Sequence, residues 1–287
     1  DSTDNLGFFG EEDGWKNLVN DCYTITKYAR EIFPGKPVVL FGHSMGSFIA
    51  RAYTQMYDMT LAAAIYCGTS GSNPAAGMGI KLADAIARSK GAKHKSELIN
   101  SVAFGTYNKK FKPNRTDYDW LCSSNEMLDR YIADPLRGGV MSVGLFREML
   151  YGIEYTGDRK NIKKMHTGKP ILLLSGSKDP VGAFGTGVNK VYKEFQRIGI
   201  SDVTMRLYEG LRHDILHEDS RDVIYDDIFN WMKARNLVNN KKGYHKTDSV
   251  IVKTKEDTMD SGKKLVDSDE VESVLNNNSP KELKKSL

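Results

Sequence analysis

Apolar and polar positions along this chain follow two different rhythms. Over residues 13–32, Trp15, Leu18, Val19, Cys22, Ile25, Thr26 and Ala29 recur at steps of three and four, which predicts an amphipathic helix ended by Pro34 and Gly35. Residues 38–41 form a continuous apolar run instead, the pattern of a strand buried on both faces of a parallel sheet. Glycines follow it, and then a helical pattern over 45–56. Runs of the same strand-like kind lie at 61–67, 170–174 and 203–208, with helical patterns at 188–198 and 223–234. Strands that alternate with helices predict an α/β domain built on a parallel sheet.

The interval 72–164 breaks this alternation. It holds helical patterns at 125–134 and 140–155 and no clear strand, so it predicts a helical insertion carried above the sheet. Met127, Leu128, Tyr131 and Ile132, with Phe146, Met149, Leu150 and Ile153, either line an apolar pocket or pack the insertion onto the body. From 239 to 287 the chain mixes Lys, Asp, Glu, Asn and Ser with scattered valines, which predicts a polar, disordered tail beyond a domain spanning 1–238.

Composition narrows the classes. An apolar content of 40% in 287 residues can fill a sizeable core, and no apolar run approaches the roughly 18 residues of a membrane span. Lys and Arg number 41 against 37 Asp and Glu, with no dense basic block to track a phosphate backbone, so nucleic acid is not expected as a partner. Cys22, Cys67 and Cys122 lie far apart in apolar or helical contexts, which points to reduced thiols and a cytoplasmic setting. The first residues carry neither a basic nor an apolar region of the signal-peptide kind, and the chain starts at Asp1 rather than Met.

The sharpest chemical signal is Gly42-His43-Ser44-Met45-Gly46. A bare GxSxG is weak, but this one sits directly between an apolar strand and a helix, the strand–turn–helix setting of a nucleophile elbow. The tight turn would strain Ser44 and need glycines for close backbone passage, and the Met45 N–H at the helix start could stabilise an oxyanion. A serine needs a base, and the base needs a carboxylate to orient it. Asp179 follows the third strand and His213 the fourth, so the three residues would meet at the carboxyl edge of one sheet. Rivals fit less well. His43 would point away from Ser44, and His217 lies four residues after His213 but without an HExxH pattern or a third ligand, so no metal is expected. His94, His166 and His245 lie in polar surroundings that suit surface positions, and neither Asp158 nor Asp202 follows the end of a strand.

The chain resembles serine α/β-hydrolases of the monoacylglycerol lipase and lysophospholipase type, also described as serine aminopeptidase-like. The resemblance covers about residues 5–237 and rests on LGFF followed by DGW, VVLFGHSMGSFIARAY, DYDWLCSSNEMLDRYIADPL, ILLLSGSKDPVG and YEGLRHDILHE. It implies an α/β-hydrolase fold with a helical lid at about 72–164, Ser44 as nucleophile, Asp179 as acid and His213 as base, with no cofactor. It implies a small lipid ester as substrate, hydrolysed through an acyl-enzyme, and transient contact of the lid with a membrane surface. A prolyl aminopeptidase-like peptidase, an acyltransferase and a non-catalytic binding module are the alternatives. The resembling family's N-terminal strands and the His-Gly loop that gives a second oxyanion N–H have no counterpart here. The expectation is therefore a fragment of a longer hydrolase, with residues 38–41 as an exposed sheet edge and weak reaction with fluorophosphonates.

Overall fold

A computed structural model describes residues 7–10, 13–137 and 139–238. The expected tail at 239–287, with His245, lies outside the described residues. In chain order the elements are α1 (Gly14–Ile32), β1 (Val39–His43), α2 (Met45–Tyr57), β2 (Ala63–Cys67), α3 (Ala76–Lys90), α4 (Glu97–Phe104), α5 (Asn125–Ala133), α6 (Val143–Gly157), α7 (Arg159–Ile162), β3 (Ile171–Gly176), α8 (Thr186–Arg197), β4 (Val203–Tyr208) and α9 (Arg221–Lys233).

The four strands form one parallel sheet in the order β1-β2-β3-β4. Every residue of β2 and β3 is buried, which is why both read as unbroken apolar runs. Alternate side chains nevertheless go to opposite faces. Ala64, Tyr66, Ile171 and Leu173 pack with Val188, Val191 and Phe195 of α8, while Ala63, Ile65, Leu172 and Leu174 pack with Ile224 and Trp231 of α9. Leu172, Leu173 and Leu174 are all fully buried, and truncating any one to Ala would cost about 2–5 kcal/mol. At one edge β1 pairs only with β2 among the described residues, and Phe41 is 40% exposed there. β1 also runs two residues past the predicted end, through Gly42 and His43, so the strand delivers the chain directly into the elbow.

Within the insertion, α6 packs both with the other insertion helices and with the body. The insertion's first helices, α3 and α4, which were not among the helices predicted from sequence, pack with α6 through Ala76, Ile80, Ile99, Phe146 and Leu150. Phe146 and Leu150 therefore join the packing rather than an open pocket. α6 also belongs to the body. A Cβ on Gly152 would lie 2.2 Å from the Trp15 ring of α1, so the two helices touch where glycine leaves room. The buried Glu148 accepts the Trp15 N–H at 2.9 Å, so a carboxylate from α6 serves an unpaired amide in the first turn of α1. The carbonyl of Thr156, at the end of α6, accepts from Arg51 at 3.1 Å and from Gln55 at 3.1 Å, both on α2. Arg51 is buried, and its guanidinium donates to three neutral acceptors, Thr69 Oγ1, Ser70 O and Thr156 O. Burial lowers its pKa to about 10, so the guanidinium stays charged at neutral pH.

Candidate active site

β1 ends at His43 and α2 begins at Met45, leaving Ser44 alone in the turn. Its backbone has φ 54 and ψ −123, a left-handed conformation that costs a non-glycine residue free energy. Two contacts hold it there. The Ser44 N–H donates to Cys67 O at 3.0 Å, pinning the turn to the end of β2, and the Ser47 hydroxyl donates to Ser44 O at 2.6 Å. The two motif glycines differ. A Cβ on Gly42 would lie 2.2 Å from Gly46 O, so Gly42 is sterically required, whereas a Cβ on Gly46 would meet nothing within 4 Å. The expectation that both flanking glycines are needed for close passage therefore holds for Gly42 alone.

Asp179 lies three residues beyond β3, in a turn that the Asp179 N–H closes on Gly176 O at 3.1 Å. The residue is fully buried. Its Oδ1 accepts from the Val181 N–H at 2.8 Å and lies 2.9 Å from His213 Nδ1, while the Ser175 hydroxyl donates to Oδ2 at 3.3 Å. His213, five residues beyond β4, is 2% exposed, and its Nε2 lies 2.8 Å from Ser44 Oγ. A carboxylate can only accept, so Nδ1 carries the proton and Nε2 is left to accept from the serine hydroxyl. Ser44, His213 and Asp179 are thus brought into one line, as the sequence predicted. Met45 is the first residue of α2, so its N–H has no acceptor within the helix.

Gly68, which follows β2, has φ 62, and a Cβ on it would lie 2.9 Å from His213 Cε1. His43 Nε2 lies 3.4 Å from His213 O and 3.9 Å from Asp214 Oδ1. Its partner is thus the histidine loop itself, 170 residues away in sequence. Burial, and then the neighbouring His213, lower the His43 pKa below its ordinary value. His217 Nδ1 pairs with Asp214 Oδ2 at 2.9 Å. The rival carboxylates are engaged elsewhere: Asp158 caps α7 through the Lys160 N–H at 2.8 Å, and Asp202 pairs with Arg235. His166 is exposed, whereas His94 is half-buried and its carbonyl accepts the Val143 N–H at 2.9 Å.

Residues 119–123 of the insertion run beside the histidine loop and are bonded to it repeatedly. The His213 N–H donates to Trp120 O at 3.3 Å and the Asp214 N–H to Leu121 O at 2.7 Å. The Arg212 guanidinium donates to Asp119 O and Cys122 O. The buried Glu218 carboxylate accepts from the Ser123 N–H, the Ser123 hydroxyl and the Arg212 N–H. Cys122 donates its thiol to His217 O at 3.2 Å, and burial followed by the Glu218 charge pushes that thiol up to about 12. Beyond this strap a cavity of about 320 Å³ opens against α5, lined by Leu121, Met127, Leu128, Tyr131, Asp214 and His217 among others. Three of the four α5 residues named from sequence thus face it.

Residues 4–220 match the profile of the Hydrolase_4 family, described as serine aminopeptidase, S33. Over 221 residues the chain is 25% identical to a monoacylglycerol lipase of Mycolicibacterium smegmatis, covering 75% of this chain and 69% of that one. Among solved structures, a highly thermostable carboxyl esterase from Bacillus coagulans in complex with glycerol aligns with TM-score 0.73 at 26% identity, covering 78% of this chain and 73% of that one. A lipase in its open form aligns with TM-score 0.70 at 25% identity, covering 77% of this chain and 73% of its own. With most of its length inside the profile and a parallel sheet whose carboxyl edge gathers serine, carboxylate and histidine in that chain order, the protein has the α/β-hydrolase fold and belongs to the serine aminopeptidase S33 family.

Proposed function

We propose that this protein hydrolyses carboxylic esters of acyl lipids, such as monoacylglycerols or lysophospholipids, through an acyl-enzyme on Ser44. The observation that carries the reading is the line from Ser44 Oγ to His213 Nε2 at 2.8 Å and from His213 Nδ1 to Asp179 Oδ1 at 2.9 Å. Ser44 Oγ attacks the ester carbonyl carbon as Nε2 takes the hydroxyl proton. The imidazolium that forms is held by the Asp179 carboxylate, and the Met45 N–H donates to the oxyanion. The imidazolium then gives its proton to the departing alcohol as the C–O bond breaks. Water, deprotonated by the same nitrogen, attacks the acyl-enzyme and releases the acid and the free serine. No metal or organic cofactor enters the scheme.

The reading of an ester rather than an amide draws support from the relatives, one a monoacylglycerol lipase and another a carboxyl esterase bound to glycerol. The α5 cavity, lined by Leu121, Met127 and Leu128 together with Arg130, Asp134, Asp214 and His217, offers both apolar and polar surface one residue along the chain from His213. The family description favours a second reading, a peptidase acting on an N-terminal residue. A series of p-nitrophenyl esters of rising acyl length, run beside proline p-nitroanilide, separates the two. Peak turnover on a medium or long ester, abolished in Ser44→Ala, is expected. Peak turnover on the anilide overturns the lipase reading, and equal ester turnover in wild type and Ser44→Ala overturns catalysis by this serine. Contact of α5 with a lipid surface is part of the proposal, and co-sedimentation with vesicles tests it.

A further inference from the structure

The His213 imidazole is packed between rings, and one of them comes from the insertion. The Trp120 ring centroid lies 5.3 Å from that of His213 at an interplanar angle of 35°, and the His43 centroid lies 5.0 Å away at 36°. Trp120 is 9% exposed and firmly held. Its backbone N–H donates to Asn108 Oδ1 at 2.8 Å, Phe104 stacks on its ring at 6.0 Å and 15°, and Tyr107 meets it edge-on at 4.9 Å. Its carbonyl accepts the His213 N–H, so one residue grips both the backbone and the ring of the histidine. The strap described above fixes this arrangement from both ends, at Arg212 and at Glu218.

We propose that Trp120 is a positioning residue for His213. It confines the imidazole to the orientation that spans Ser44 and Asp179, and its π-face favours the ring when the ring becomes a cation. The proposal rests on His213 acting as the base. The attraction is stronger for the imidazolium than for the neutral ring, so it is greater in the transition state than in the ground state and lowers the barrier. Its location matters as well: Trp120 belongs to the insertion, so a segment outside the sheet and its flanking helices sets the base.

The test compares Trp120→Leu, which keeps bulk but removes the π-system, with Trp120→Phe, which restores a ring. Two readouts are taken on the full chain: kcat and KM for a short p-nitrophenyl ester, and the low-field Nδ1–H proton resonance of His213, assigned by its loss in His213→Gln. Trp120→Leu is expected to lower kcat about 3- to 30-fold with KM within about twofold, the range of a ring–cation attraction. It is also expected to broaden the resonance, and Trp120→Phe to recover both. If Trp120→Leu fails to fold, Phe104→Leu, which removes the ring stacked on Trp120, is expected to show the same split at smaller size. A sharp resonance together with unchanged kcat in the leucine variant overturns the proposal, as does a wild-type protein with no ordered Nδ1–H. The resonance does not depend on turnover, so it decides the role of Trp120 even if Ser44→Ala shows that the ester reading is wrong.

Discussion

Gly68 and the His213 imidazole are in contact: a Cβ on Gly68 would lie 2.9 Å from Cε1 and 3.2 Å from Nδ1. The end of β2 thus leaves a side-chain-sized gap that the ring occupies while it bridges Ser44 and Asp179. Gly68→Ala would push the ring out of line and strain a backbone at φ 62. The expected result is a fall in kcat of about 100-fold, the cost of a displacement near 1 Å at a reacting group, with a smaller change in KM. Steady-state ester kinetics check it, and an unchanged kcat would show that the ring has room to shift.

The elbow glycines are expected to respond in opposite ways. Gly42→Ala drives a methyl group against Gly46 O at 2.2 Å and Ala50 Cβ at 2.8 Å, a clash worth about 3 kcal/mol or more. Gly46→Ala enters open space in the first turn of a helix, where alanine is preferred to glycine by up to about 1 kcal/mol. Denaturation midpoints in urea measure both, and a loss of stability in Gly46→Ala would contradict the geometry.

Asp179→Asn keeps size and burial but changes what Nδ1 meets, since the amide NH2 is a donor where the carboxylate was an acceptor. The wrong tautomer would then place a proton on Nε2 opposite Ser44. A fall in kcat of about 10⁴-fold is expected, with an unaltered circular dichroism spectrum. Residual activity near wild type would remove Asp179 from the mechanism.

The depressed pKa of His43 makes a prediction about acid stability. Burial, chiefly, keeps its imidazole neutral in the folded chain, whereas in the unfolded chain it titrates near its ordinary value of about 6.5. The unfolded state therefore binds more protons just below that pH, and folding stability falls as the pH drops through this window. His43→Gln removes the difference. Below about pH 6.5 the variant's urea midpoint is expected to fall less steeply than that of the wild type, and parallel curves would argue against a depressed His43.

The sheet and the line of Ser44, Asp179 and His213 were legible in the sequence for a local reason. Strands leave largely apolar runs, and each of the three residues lies within five residues of the end of such a run, so position along the chain stood in for position in space. The motif around Ser44 added strain and a helix start, which are also local. Gly68, Trp120 and Glu218 were not legible as parts of the site. Glycine after a strand has many uses, and only the fold brings the His213 ring against this one. Trp120 lies in a segment that sequence reasoning read as part of a lid, and its contact with His213 spans about a third of the chain.

The sequence by itself determined the layered α/β architecture and the order serine, carboxylate, histidine, because hydrophobic periodicity and turn chemistry act over a few residues. Only the tertiary structure decided how the insertion divides: α6 joins the body through Trp15, Arg51 and Gln55, while residues 119–123 clamp the histidine loop. Those contacts are hydrogen bonds and ring packing between segments remote along the chain. No periodicity encodes them, since each partner has a local pattern that several other neighbours would satisfy equally well.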